Sequence, residues 1–171
     1  MITMTTFVIL AGGKSSRMGE DKSLMKMGTR RIYNLCKGIE NSKIITLCGD
    51  ESRINLFEGD VWSDPSDLSG ALDIIKWCMN NIEGKIQFIP CDAFNLGREG
   101  IRWLQSFENA TPVDSFGNRQ PLLSLISNKE LINFSGVNIR ELFADIPSVI
   151  SDELADHFNN FNTKDDVSKL N

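Results

Sequence analysis

The run Leu10-Ala11-Gly12-Gly13-Lys14-Ser15-Ser16-Arg17-Met18-Gly19-Glu20-Asp21-Lys22 combines the residue types that hold a polyphosphate. Glycines let phosphate oxygens approach backbone N–H groups, because no side chain stands in the way. Lys14, Arg17, Lys22 and Lys26 gather cations beside that backbone in a chain of formal net charge −5. Arginine grips phosphate through paired donors, and lysine adds a compact point charge. A solvated turn accounts for Gly12-Gly13 alone but poorly for the cations at this spacing. Two common phosphate loops do not fit. Gly13-Lys14-Ser15 could end a Walker A loop, but the glycine that must open it falls at Val8. The dinucleotide fingerprint fails because Gly12 and Gly13 are adjacent and the next glycine is Gly19.

A second chemical position is Asp92, which with Cys91 follows the strand-like run 85–90. An aspartate at the C-terminal end of a strand suits a hard, oxygen-seeking ion such as Mg2+. A helix N-cap or turn is its plainer alternative. Asp64 precedes Pro65 and reads as a nucleoside contact or a turn aspartate. His157 is the lone histidine and reads as a packing or surface residue. Cys36, Cys48, Cys78 and Cys91 form no C-x-x-C pair and sit in apolar stretches. They read as small buried hydrophobes in a reducing compartment, not as a zinc site.

These residues need a scaffold. The 171 residues are enough for one domain, 1–171, with a proper core. Hydrophobic residues at 41% and charged residues at 24% exclude a disordered chain. The acidic balance argues against a nucleic-acid binder. No apolar run reaches transmembrane length, so a soluble, cytoplasmic protein without membrane contact is expected. The unalternating apolar run 5–10 suits a strand buried on both faces of a parallel sheet. Helical spacing from a Thr29 N-cap, a strand over 43–48 and a short strand at 60–62 follow. Asp67 is expected to cap a helix over 68–82 that Gly84 closes. A strand over 85–90 and a helix over 97–107 come next. Two strands, 110–114 and 120–127, are expected to flank the turn 115–119, with Pro121 making the second irregular. Helical pieces at 129–134 and 137–143, a strand at 148–150 and a helix at 163–170 capped by Thr163 complete the reading. The alternation predicts an α/β fold: three layers, Rossmann-like, around a mostly parallel central sheet.

Residues 10–24 also match L-A-G-G-x-S-x-R-M-G-x-D-K-x-L at every defined position. In this the chain resembles the molybdenum cofactor guanylyltransferase family, within the nucleotidylyltransferases. Weaker echoes follow in order. They are Asp64 after the third strand, Leu68-Ser69-Gly70, Pro90-Cys91-Asp92, the hairpin 117–122 and Phe161-Asn162-Thr163. Ala93-Phe94 lacks the proline often found after the metal aspartate, Gln120-Pro121 replaces His-Pro, and Leu47-Cys48-Gly49 lacks a familiar asparagine.

The resemblance implies a nucleotidyltransferase fold and transfer of GMP from GTP to the terminal phosphate of molybdopterin, with pyrophosphate released. It implies a nucleotide site of Leu10, Ala11, Gly12, Gly13, Lys22, Asp64, Gly70 and Asp92. Within it, Asp92 holds Mg2+, and Arg17 and Lys22 steady the β- and γ-phosphates. Gly12 and Gly70 are expected to leave room for guanine. Arg119 and Asn162 are the candidates for the acceptor, Arg119 otherwise being a solvated hairpin tip. Transient contacts with cofactor-delivery and molybdoenzyme proteins are also implied. CTP, a sugar, isoprenoid or phospholactate acceptor, and a nucleotide-binding module without catalysis remain as alternatives.

Overall fold

β1 (Thr5–Leu10) is the middle strand of the sheet in a computed structural model that describes residues 3–12 and 28–160. After it come α1 (Gly28–Lys37), β2 (Ser42–Gly49), a 3₁₀ turn (Glu51–Leu56) and β3 (Asp60–Ser63). Then follow α2 (Gly70–Asn81), β4 (Lys85–Pro90), α3 (Arg98–Gln105) and β5 (Thr111–Pro112). β6 (Leu125–Ile126), α4 (Ile139–Leu142) and β7 (Ser148–Val149) follow, separated by short 3₁₀ turns. The five-stranded sheet runs β3-β2-β1-β4-β6. β1 to β4 are parallel, and β6 joins β4 antiparallel. β5 and β7 form a separate parallel pair.

The two-residue period of a strand sends alternate side chains of β1 to opposite faces. Phe7 and Ile9 pack with Ile32 and Cys36 of α1 and Ile101 and Leu104 of α3. Val8 packs with Ile75, Cys78 and Met79 of α2, and with Phe88 and Phe143. Helices therefore cover both faces, which gives the three layers and explains why strand 5–10 carries no polar alternation. Each large side chain fully buried in this way contributes about 1.5–3 kcal/mol. The chain leaves β1 for β2 on one side and returns from β3 to β4 on the other. That reversal opens a crevice beyond the C-terminal ends of β1 and β4, the usual ligand position in such sheets.

Several local expectations shift. Thr29 is not the cap of α1 but its second residue, and its buried hydroxyl has no hydrogen-bond partner among the described residues. Ser69, not Asp67, precedes α2, because residues 65–68 close a turn through Leu68 N to Pro65 O at 3.1 Å. Gly84 has φ +80 but stands one place later than the expected C′ position. The two strands flanking residues 115–119 shrink to β5 and β6, which lie in different sheets, and the segments keep two antiparallel bridges, Ala110 to Leu125 and Val113 to Arg119. Pro121 starts a 3₁₀ turn, Pro121–Leu123, where the second strand was expected to begin. The expected helix at 163–170 lies outside the described residues.

Candidate functional site

The C-terminal edge of the sheet assembles the site from three strand ends. Cys91 N donates to Leu10 O at 3.1 Å, which ties the residue before Asp92 to the end of β1. Ala11 N donates to Leu47 O at 2.9 Å, and Asp64 N donates to Gly49 O at 2.7 Å. Leu10, Ala11, Gly12, Asp64 and Asp92 therefore share one edge. Gly12 lies against β2 so closely that a Cβ would stand 2.9 Å from Gly49 Cα and N. Glycine is required there by the approach of two backbones. This revises the expectation that Gly12 makes room for a base. Gly70 opens α2 with φ +82 and nothing within 4 Å of a built Cβ, so its backbone conformation is what favours glycine. Gly13, Arg17, Lys22 and Asn162 lie outside the described residues.

Two arginines missed by the sequence reading brace this edge. Arg53, from the turn after β2, donates Nε to Cys48 O at 2.8 Å and Nη2 to Ala11 O at 3.0 Å. One planar fork thus locks the ends of β1 and β2 together. Arg31 of α1 donates Nη1 to Leu96 O at 2.6 Å and Nη2 to Ala93 O at 2.5 Å. It holds the loop that leaves Asp92. No local pattern marks these roles, because the accepting carbonyls of Ala11, Ala93 and Leu96 are remote in sequence. His157 acts similarly: its Nδ1 accepts from Gly97 N at 2.9 Å, at the start of α3. Packing is one of the two roles expected of it.

From Asp92 a cleft of about 910 Å³ runs along the segment 114–123 to α4 and the end of the described chain. Asp92 is half-buried at one end, and Arg119, Arg140 and Asn160 are among its walls. Asn162 follows Asn160 by two positions. Arg119 is neither a solvated tip nor an uncommitted cation. Its Nη1 donates to Ile146 O at 2.9 Å and to Ser148 Oγ, and Nη2 donates to Phe143 O at 2.7 Å. Burial lowers its pKa from the ordinary arginine value. Arg140, exposed in the same cleft, makes no hydrogen bond or ion pair among the described residues.

Burial raises the Asp64 carboxyl above the usual aspartate range. Burial also pushes Cys78 up to about 12, with the nearby Asp64 charge adding to the shift. All four cysteines are buried and none forms a disulfide, as their apolar neighbourhoods predict. Among the described residues no three His, Cys, Asp or Glu side chains gather as a metal cluster. Asp92, half-buried just beyond β4, offers one carboxylate, and an ion held there would need phosphate oxygens to complete its shell, a ligand set that suits Mg2+. No described helix is long and apolar enough to cross a membrane.

Residues 7–136 match the MobA-like NTP transferase domain. The molybdenum cofactor guanylyltransferase of Syntrophotalea carbinolica is 26% identical over 95% of this chain and 88% of its own. The structure of Aq1419 from Aquifex aeolicus VF5 superposes with a TM-score of 0.71 at 20% identity, covering 94% of each chain. Rv0371C of Mycobacterium tuberculosis H37Rv, in complex with manganese, superposes with a TM-score of 0.54 at 13% identity over 88% of each chain.

Proposed function

The chain belongs to the MobA-like NTP transferase family, and from that premise we propose that this nucleotidylyltransferase moves GMP from GTP onto molybdopterin. A terminal phosphate oxygen of molybdopterin forms a bond to the α-phosphorus of GTP, and the bond from that phosphorus to the bridging oxygen breaks. Pyrophosphate leaves with the electron pair. The guanylyltransferase relative supports this choice of substrates. The observation that carries the reading is the pairing of two edges. Leu10-Ala11-Gly12 is joined to Cys91-Asp92 through the Cys91 N to Leu10 O bond, and the cleft opens from Asp92.

The backbone after β1 takes the triphosphate, with Arg17 and Lys22 on its outer phosphates. Asp64 and Gly70 border the nucleoside. Asp92 holds Mg2+, which when bound neutralises charge on the α-phosphate. A phosphate nucleophile is already ionised at neutral pH, so the site needs no general base. Arg140 meets the acceptor's phosphate, since Arg119 is committed to Phe143, Ile146 and Ser148. Asn162 is the second candidate for that acceptor. Residues 1–171 act as one transferase domain in the cytoplasm, meeting cofactor-delivery and molybdoenzyme proteins transiently.

The test is dinucleotide formation and pyrophosphate release with molybdopterin, Mg2+ and each NTP in turn. GTP is expected to exceed CTP by about tenfold or more in kcat/KM. A preference for CTP overturns the guanylyl assignment. Asp92→Asn is expected to keep the fold and lose turnover at limiting Mg2+. Wild-type turnover there removes Asp92 from the metal.

A further inference from the structure

Phe116 is 79% exposed, the most exposed large hydrophobic side chain among the described residues. It lines the cleft that begins at Asp92. Val137 and Ile150 are nearly as exposed, but neither lines that cleft, where a ring leaves an apolar face open to a bound molecule. The loop that carries it is built to hold it there. Asp114, itself buried, accepts from Phe116 N at 2.9 Å and Asn118 N at 2.8 Å through Oδ1. Its Oδ2 accepts from the Gln120 amide at 2.8 Å. Ser115 donates its N–H and hydroxyl to Asn159 Oδ1 at 3.1 and 2.9 Å. Arg119 anchors the far side to residues 143–148. The tip is thus fastened on three sides, and among the described residues its aromatic ring stacks on no other ring.

We propose that Phe116 is the stacking surface for a flat heterocycle of the acceptor, so that this enzyme selects acceptors carrying a ring as well as a phosphate. The proposal rests on the reading of molybdopterin as acceptor, whose pterin supplies such a face. A loop backbone fixed in advance spares the entropy of ordering the loop when the ring stacks. Stacking is tolerant of the ring's substituents, while the phosphate sets the reacting end. Phe116 would thus determine acceptor specificity and leave the nucleotide site unchanged.

The test measures binding, independent of turnover. Molybdopterin and GTP are titrated separately into the full-length wild type, Phe116→Ala, Phe116→Leu and Phe116→Trp. Alanine and leucine are each expected to raise the molybdopterin Kd by about tenfold, the scale of one lost base–aromatic stack. Tryptophan should stay within about twofold of wild type, and GTP affinity should not change in any variant. A wild-type molybdopterin Kd in Phe116→Leu overturns the proposal, because apolar bulk alone would then suffice. Parallel weakening of GTP binding overturns it too, as does a change in oligomeric state with acceptor affinity intact. If the wild type binds molybdopterin through Phe116 but never guanylylates it, the stacking stands and the reaction assignment falls. If it binds none, both fall.

Discussion

Arg119 and Arg140 face one cleft, yet they are expected to fail in different ways when removed. Arg119→Ala strips donors from the carbonyls of Phe143 and Ile146. Charge-assisted bonds of this kind are worth about 1.5–3 kcal/mol, and a lower urea midpoint is the expected result. Arg119→Lys should recover only part, since an ammonium lacks the planar fork. Arg140→Ala should change stability by less than about 0.5 kcal/mol and raise the acceptor KM. Asp64 has the opposite signature. Burial raises its native pKa, so the folded chain holds the proton more tightly than the unfolded one. Stability must then fall as pH rises from near the unfolded value of about 3.9 through the raised native value. Asp64→Asn is expected to raise the Tm at neutral pH and to make little difference in stronger acid. An unchanged neutral Tm would place the carboxylate in a better-solvated position than the structure gives it.

At the scale of elements, the ends of β1 and β2 meet so closely that two glycines face each other. Gly12→Ala would force a Cβ to 2.9 Å from Gly49 backbone atoms that cannot swing away. An overpacking cost of about 1–3 kcal/mol is expected, with GTP and CTP use falling together. A selective loss of GTP use would instead restore Gly12 as a base-contacting position. Leu10-Ala11-Gly12, Asp64 and Asp92 were legible because each lies in or directly after a strand followed by turn residues. Those signals are local and sit within a few residues of one another. Arg31 and Arg53 were not legible, because their roles depend on which distant carbonyls arrive beside them. Thr29 and Asp67 misled as caps for a related reason: capping chemistry occurs at many polar positions, and packing decides where a helix begins. The expected hairpin formed only in part: Ala110 bridges Leu125 and Val113 bridges Arg119 antiparallel, while β6 takes β4 and β5 takes β7 as ladder partners.

All four thiols are buried, Cys36 in the core cluster on one side of the sheet and Cys78 in the cluster on the other. Cys36 and Cys78 have their pKa values pushed to about 12 by burial, so neither offers a thiolate at neutral pH. A disulfide reagent added to the native protein is expected to label them only as fast as the protein opens. Their labelling rate should therefore follow the unfolding equilibrium measured in urea. Rapid labelling in the absence of denaturant would contradict the three-layer packing.

The amino-acid sequence by itself determined the class of molecule. The strand–helix alternation, the glycine and cation run from Leu10 to Lys22, and an aspartate after the strand 85–90 are written in consecutive residues, so local physics reads them. Only the tertiary structure decided which strand lies between which, and so placed Leu10 beside both Leu47 and Pro90. The same folding committed Arg119 to remote carbonyls and left Phe116 and Arg140 facing the cleft. A side chain's type is a property of its own position. Whether it is occupied depends on partners that arrive from elsewhere in the chain.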